Sequence, residues 1–203
     1  MRRGVFVTGT DTGVGKTVVS AWAARSLAAD YWKPVQTGCD DDEDTSTVAS
    51  LGGLAPSRLH PPAYRLRAPL APDQAARLEG VEIDLDRLVP PSTDAPLVVE
   101  GAGGILVPLN STATIADLMV RLALPVLVVA RSGLGTINHT LLTLECLRRR
   151  NLRVLGVVLN GPSTPANGQA IRRLGHVSIL AELPPLTPLD AGSLAALAPL
   201  ELP

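Results

Sequence analysis

Nine residues, Gly9-Thr10-Asp11-Thr12-Gly13-Val14-Gly15-Lys16-Thr17, separate the apolar run Val5-Phe6-Val7 from an Ala-rich stretch over residues 17–29. A glycine-rich turn between a buried strand and a helix start leaves the chain little freedom. It gathers backbone N–H groups and a helix N-terminus at one point, where an anion is the natural occupant. Lys16 is placed to reach the β- and γ-phosphates of a nucleotide, and the Thr17 hydroxyl to ligate Mg²⁺. Counted from Gly9, five residues precede Gly15-Lys16-Thr17, one more than the standard phosphate loop has. A dinucleotide fingerprint is disfavoured, because no Gly-x-Gly-x-x-Gly can be drawn through Gly13 and Gly15.

Four further apolar runs follow: residues 97–99, 126–129, 154–159 and 177–180. None alternates cleanly between apolar and polar, so each is expected to be buried on both faces, as in a parallel sheet. A short strand is expected at Tyr31-Trp32-Lys33. Helical patterns at residues 17–29, 114–122 and 141–150 lie between the strands. Strand alternating with helix predicts a doubly wound α/β fold, a mainly parallel sheet flanked by helices. Residues 54–96 carry eight prolines and read as loops around short helices at 73–79 and 84–88, covering one sheet edge. The tail after Leu183 is Pro-rich, with a short helix expected at 190–197. No repeat or linker divides the chain, so residues 1–203 are expected to form one domain.

Composition narrows the partners. With 46% hydrophobic and 18% charged residues the chain is not disordered. A net charge of −1 gives no global attraction to nucleic acid or to an anionic membrane, and neither partner is expected. Only 2% of residues are aromatic, whereas Gly and Pro number 18 each, so a binding site must rely on backbone groups and a few charges. Cys39 and Cys146 make no disulfide framework or Cys-x-x-Cys metal spacing. Residues 1–5 show no signal-peptide core, and the apolar stretch 122–130 is interrupted by Pro125, well short of the roughly 20 residues of a spanning helix. A cytoplasmic location is expected.

Two further segments carry chemistry. Glu100 is expected to end the strand at 97–99, followed by Gly101-Ala102-Gly103-Gly104, facing a nucleotide at the carboxyl ends of the strands. Lys33-Pro34-Val35-Gln36-Thr37-Gly38 precedes an acidic run, Asp40-Asp41-Asp42-Glu43-Asp44. A second lysine beside a phosphate loop can stabilise a transferring phosphoryl group.

As an ordered set, these segments resemble the dethiobiotin synthetase family of P-loop NTPases. That family has the same five-residue loop spacing, a Lys-Pro-x-Gln-[Ser/Thr]-Gly motif and Glu-Gly-Ala-Gly-Gly. A fourth segment, Leu134-Gly135-Thr136-Ile137-Asn138-His139-Thr140, is similar to the family's Asn-His helix start. The resemblance spans residues 5–160. It implies an ATP- and Mg²⁺-dependent cyclo-ligase. CO₂ or bicarbonate and 7,8-diaminononanoate give a carbamate, ATP converts it to a mixed anhydride, and the second amine closes the ring, yielding dethiobiotin, ADP and phosphate. It implies metal ligation by Thr17, Asp44 and Glu100. Lys16, Lys33 and Thr12 take catalytic roles, and Gly13, Val14, Gly15, Lys16, Thr17 and Val18 the phosphates. Asn160, Pro184, Pro185 and Leu186 take the base. Thr37, Glu100, Gly101, Ala102 and Gly103 take the substrate, with Thr136, Ile137 and Asn138 acting across a homodimer interface on the partner's substrate carboxylate. The alternative is a P-loop switch ATPase of the partition or septum-placement type. Its signature carries a second lysine near the loop start, where this chain has Gly9-Thr10-Asp11.

His139 is expected to cap or pack, Arg148, Arg149 and Arg150 to complement a helix C-terminus, and Trp22 and both cysteines to serve as packing.

Overall fold

The alternation of strand and helix is realised as a parallel sheet in the computed structural model, which describes residues 3–39 and 44–203. The first half of the chain comprises β1 (Gly4–Gly9), α1 (Lys16–Ser26), β2 (Asp30–Trp32), β3 (Val35–Thr37), α2 (Asp44–Gly52), β4 (Leu59–His60), β5 (Tyr64–Leu66) and α3 (Pro72–Leu78). It continues through β6 (Leu97–Gly104), α4 (Ile115–Leu122), β7 (Val126–Arg131), α5 (Thr136–Arg149), β8 (Val154–Asn160), α6 (Pro165–Gly175), β9 (Ile179–Leu183) and α7 (Ala191–Ala195). Among the described residues, seven strands form one sheet in the order β4-β2-β6-β1-β7-β8-β9. Every neighbouring pair in it is parallel.

Both faces of this sheet are covered, which is why its strands read as unbroken apolar runs. Phe6, Val99, Val128 and Val157 project into one core with α4 and α5. Val5, Val7, Val98, Leu127 and Val129 project into the other, against α1, α2 and the C-terminal tail. Each fully buried Val, Leu or Phe of this kind contributes about 1.5–3 kcal/mol. At the start of α4, Asp117 accepts hydrogen bonds from the Thr114 amide and hydroxyl, both at 2.7 Å. These bonds satisfy donors that a helix end leaves open and lower the Asp117 pKa.

The structure departs from the sequence expectations in several places. Residues 54–96 contain strands as well as short helices: β4 extends the main sheet beyond β2, and β5 pairs with β3 in a separate two-stranded sheet. These strands have two or three residues, too few for a periodic signal. Glu100 does not end its strand. β6 continues through the glycines to Gly104, and Glu100 lies beside Val7 in the register with β1. The final strand begins at Ile179, two residues later than expected, and α5 begins at Thr136, five residues earlier than its leucine pattern. The acidic residues 40–43 and the N-terminal residues 1 and 2 lie outside the described residues.

Candidate active site

The carboxyl ends of β1 and β2 and the middle of β6 converge on one group of polar side chains. The loop after β1 positions Lys16 and Thr17 at the first turn of α1. Lys33 follows β2, Glu100 lies within β6, and Asp44 opens α2. The Thr17 hydroxyl is bonded to Asp44 Oδ1 and lies 3.1 Å from Glu100 Oε1. The Lys33 ammonium donates to Asp44 Oδ2 and to Glu100 Oε1, the latter at 3.4 Å. Four residues from four parts of the chain thus make one network, Lys33 and Glu100 buried and Thr17 and Asp44 half-buried.

The two lysines differ in their electrostatics. Burial opposes the charge on Lys33, yet Glu100 and Asp44 outweigh it and raise the Lys33 pKa above the ordinary lysine value. Burial would raise the Asp44 pKa, but the Lys33 charge and its hydrogen bond reverse the sign and lower it. Lys16 moves the other way. Burial, reinforced by repulsion from Lys33, lowers its pKa despite the attraction of Glu100. Its ammonium donates to the Asp11 carbonyl at 3.0 Å. A phosphate would add negative charge beside Lys16 and favour its charged form.

Around this centre the backbone approaches closely. A side chain at Gly101 would place its Cβ 2.9 Å from Phe6 Cε1, so a ring from β1 fills the space beside that peptide. Ala102 is buried, Gly103 is half-buried, and the ideal Cβ position of Gly103 lies 3.4 Å from Thr12 Oγ1, which brings Thr12 next to the β6 glycines. Thr12 and Gly13 are exposed, Val14 is buried, and Val18 is half-buried on α1. The half-buried Thr37 accepts a hydrogen bond at its carbonyl from Gln36 Nε2 at 2.8 Å. Asn160 ends β8 and donates from Nδ2 to the Val14 carbonyl at 3.0 Å. Pro184, Pro185 and Leu186 follow directly on β9, the prolines exposed and the leucine half-buried.

Thr136, Ile137 and Asn138 occupy the first turn of α5 and, among the described residues, make no hydrogen bond to the lysine network. The Thr136 side chain is buried, 3.5 Å from the Thr140 hydroxyl, whereas Asn138 is exposed. The next turns of α5 reach the loop: His139, Leu142, Thr143 and Cys146 line a cleft of about 510 Å³ with Thr10, Asp11, Thr12 and residues 104–108. His139 is therefore a cleft-lining residue. Arg148 donates to the carbonyls of Gly175 and His176, complementing the C-terminus of α6 rather than of its own helix.

Two residues joined to the site were not singled out by the sequence. Tyr31 is fully buried in β2, and its hydroxyl donates to Glu100 Oε2 at 3.0 Å. Its position two residues before Lys33, on the same side of an extended chain, is the signal that could have identified it. Arg131 ends β7 and pairs with Asp11 of the loop at 2.6 Å.

A family model described as an AAA domain matches residues 3–193. The ATP-dependent dethiobiotin synthetase BioD of Paramagnetospirillum magneticum is 61% identical over 197 residues, covering 97% of this chain and 95% of the relative. The chain belongs to the dethiobiotin synthetase family. The BioD protein of Nitrobacter hamburgensis is 50% identical over 190 residues, 94% of this chain and 90% of its own length. The biotin biosynthesis bifunctional protein BioCD of Bordetella avium is 58% identical over 190 residues, which is 93% of this chain but 41% of that longer protein. As a dethiobiotin synthetase, the chain is an ATP-dependent ligase of biotin biosynthesis. Solved structures show the wider fold. A ParA family ATPase from Chlorobium tepidum superposes with a TM-score of 0.59 at 14% identity, covering 98% of this chain and 93% of that one. The cell division ATPase MinD of Pyrococcus furiosus superposes with a TM-score of 0.55 at 16% identity, covering 95% and 89%. At these identities they establish a P-loop NTPase fold for the dethiobiotin synthetase and nothing about its chemistry.

Proposed function

We propose that the network of Lys33, Thr17, Asp44 and Glu100, with Lys16, is where this dethiobiotin synthetase closes the ureido ring on 7,8-diaminononanoate with CO₂ and ATP. The convergence of these five residues beside the carboxyl ends of β1 and β2 carries the reading. The Thr17 hydroxyl and two carboxylates are hard oxygen donors within reach of one another, and the Lys33 ammonium already shows that the point between the carboxylates suits a cation. This donor set fits Mg²⁺. Thr17, Asp44 and Glu100 would hold the ion, which screens phosphate charge when bound.

The residues have separable tasks. Backbone N–H groups of Gly13, Val14 and Gly15, with Thr17 and Val18 at the start of α1, cradle the phosphates. Lys16 and Lys33 oppose the charge that develops as the γ-phosphoryl moves from ATP to the carbamate oxygen, releasing ADP. Thr12, at the mouth of the loop, orients the reacting end. Thr37, Glu100, Gly101, Ala102 and Gly103 hold the substrate so that its free amine attacks the activated carbonyl carbon and phosphate leaves. Asn160, Pro184, Pro185 and Leu186 border the base.

The site is completed by a second copy of the chain. The exposed Leu106 and Leu142, which line the cleft, and the exposed Leu134 just before α5 support this. So does the exposure of Asn138 on the first turn of α5, which suits action on the partner's substrate carboxylate through Asn138 and the α5 backbone at Thr136 and Ile137. We further infer that residues 1–203 act as one unit in the cytoplasm. Among the described residues, no helix is long and apolar enough to cross a membrane.

Phosphate release from ATP, measured with Mg²⁺ and bicarbonate, should depend on diaminononanoate. Release that is unchanged when the diamine is omitted removes the reading. A fully active monomer in sizing chromatography removes the shared site.

A further inference from the structure

The phosphate loop is held from outside by the end of β8. Asn160 is the last residue of that strand, in register with Arg131 of β7 and Leu183 of β9. Its carbonyl accepts from the Ser132 amide at 3.2 Å, so its backbone is tied to the chain leaving β7. From this anchored position its side chain crosses to the loop and donates from Nδ2 to the Val14 carbonyl at 3.0 Å. A carbonyl can accept only from the nitrogen end of an amide, so this contact fixes the orientation of the side chain.

The packing is tight enough to exclude other residues. A Cβ on Gly15 would lie 2.0 Å from Asn160 Nδ2, and Gly15 has φ of 94°. With the Asn160 amide in this place, only glycine fits at position 15. Val14 is itself buried in the core beneath α1, so the peptide between Val14 and Gly15 is held by apolar packing on one side and by the amide on the other. The next amide belongs to Lys16, and the loop's N–H groups serve an anion only when their carbonyls are turned away from it. Holding the Val14 carbonyl outward does this before any ligand arrives.

We propose that Asn160 is a positioning residue of the phosphate loop, acting through the Val14 carbonyl and independently of any contact with a base. The inference rests on the ATP-binding reading of the loop and deepens it. The nitrogen end of the amide serves the loop, which leaves the oxygen end as the acceptor for a base amine. One residue then acts on both ends of the nucleotide.

A ligand without a base separates the two roles. Affinities for ATP and for inorganic tripolyphosphate would be measured by calorimetry, with Mg²⁺, on the full-length wild-type chain and on Asn160→Ala and Asn160→Asp. Loss of the brace should weaken tripolyphosphate about 3- to 10-fold in Asn160→Ala, the scale of one hydrogen bond. The loss should be larger in Asn160→Asp, where a carboxylate oxygen faces the Val14 carbonyl. ATP should weaken by at least the same factor. Amide hydrogen exchange should accelerate at Gly15 and Lys16 while β8 stays protected, a local signature that general destabilisation would not give. If both variants bind tripolyphosphate as the wild type does while ATP weakens, Asn160 serves only the base and the proposal is overturned. Unfolding of both variants at the assay temperature also overturns it, since the residue would then be a structural support. A wild-type chain that binds ATP but not tripolyphosphate overturns the pre-set loop alone. A wild-type chain that binds neither overturns the ATP-site reading as well.

Discussion

The ammonium of Lys33 lies 3.4 Å from Oε1 of Glu100, and both side chains are almost fully buried. The pair joins a residue just past β2 to one in the middle of β6, and Asp44 completes it from α2. Removing the ammonium leaves two carboxylates facing each other without their internal cation. Lys33→Ala is expected to lower turnover at least ~100-fold, the scale of losing one preorganised charge, and Lys16→Ala to do the same. Steady-state phosphate release measures both. Near-wild-type turnover in either variant would remove that lysine from the chemistry.

Tyr31 should set how Glu100 faces a cation. Its hydroxyl engages Oε2, leaving Oε1 towards Thr17 and Lys33. Tyr31→Phe keeps the ring and removes the hydroxyl that donates to Glu100. The outer partner of a ligating carboxylate affects metal affinity by about 10- to 100-fold. The concentration of Mn²⁺ or Mg²⁺ needed for half-maximal ATP binding should rise accordingly. An unchanged metal requirement would assign Tyr31 to packing alone.

The contact between Phe6 and Gly101 predicts a steric cost. Gly101→Ala puts a methyl 2.9 Å from the ring edge. Phe6 is fully buried and cannot withdraw. A loss of about 1–3 kcal/mol in stability is expected, typical of overpacking, together with displacement of the substrate-facing peptide. Urea unfolding measures the first, and a wild-type midpoint would contradict it.

Stability should fall in acid through Asp30. Burial would raise its pKa, but the Thr93 hydroxyl at 2.7 Å, the His60 ring at 2.9 Å and the Arg58 guanidinium at 3.6 Å outweigh burial and lower it. The folded chain therefore binds a proton here less readily than the unfolded one. This stabilisation is present above the unfolded carboxylate pKa and is lost as pH falls through the folded one. Asp30→Asn should lower the thermal midpoint at neutral pH and flatten its acid dependence. Parallel curves for the two proteins down to about pH 3, near the ordinary carboxylate range, would refute the assignment.

Much of the fold was legible because strands buried on both faces leave continuous Val and Leu runs. The loop at residues 9–17 was legible for another reason: its chemistry is contiguous in sequence. The strands β3, β4 and β5 were not, since two or three residues cannot display a period. Glu100 was misread as a strand end because glycines carry no β-branched signal, although the backbone hydrogen bonding of β6 continues through them. Thr17, Lys33 and Glu100 were legible beside the loop from their places at its end and at expected strand ends, whereas Asp44 entered only through the family resemblance; the structure bonds all four together. The Tyr31–Glu100 bond joins residues 69 positions apart and depends on the diagonal alignment of β2 with β6. The burial of the Thr136 side chain is equally non-local, being set by how α5 rests on the sheet.

The scarcity of aromatic rings has an optical consequence. The chain has two indoles, and they are tied to different places: Trp22 Nε1 to the tail carbonyl of Ala198 at 3.0 Å, and Trp32 Nε1 to the Pro61 carbonyl at 3.2 Å. Trp22→Phe would therefore leave one emitter, adjacent in sequence to Lys33 and pinned to the proline-rich segment. Its fluorescence would follow events at the phosphate-transfer centre without any attached dye, a natural probe that a chain richer in tryptophan would have drowned in background.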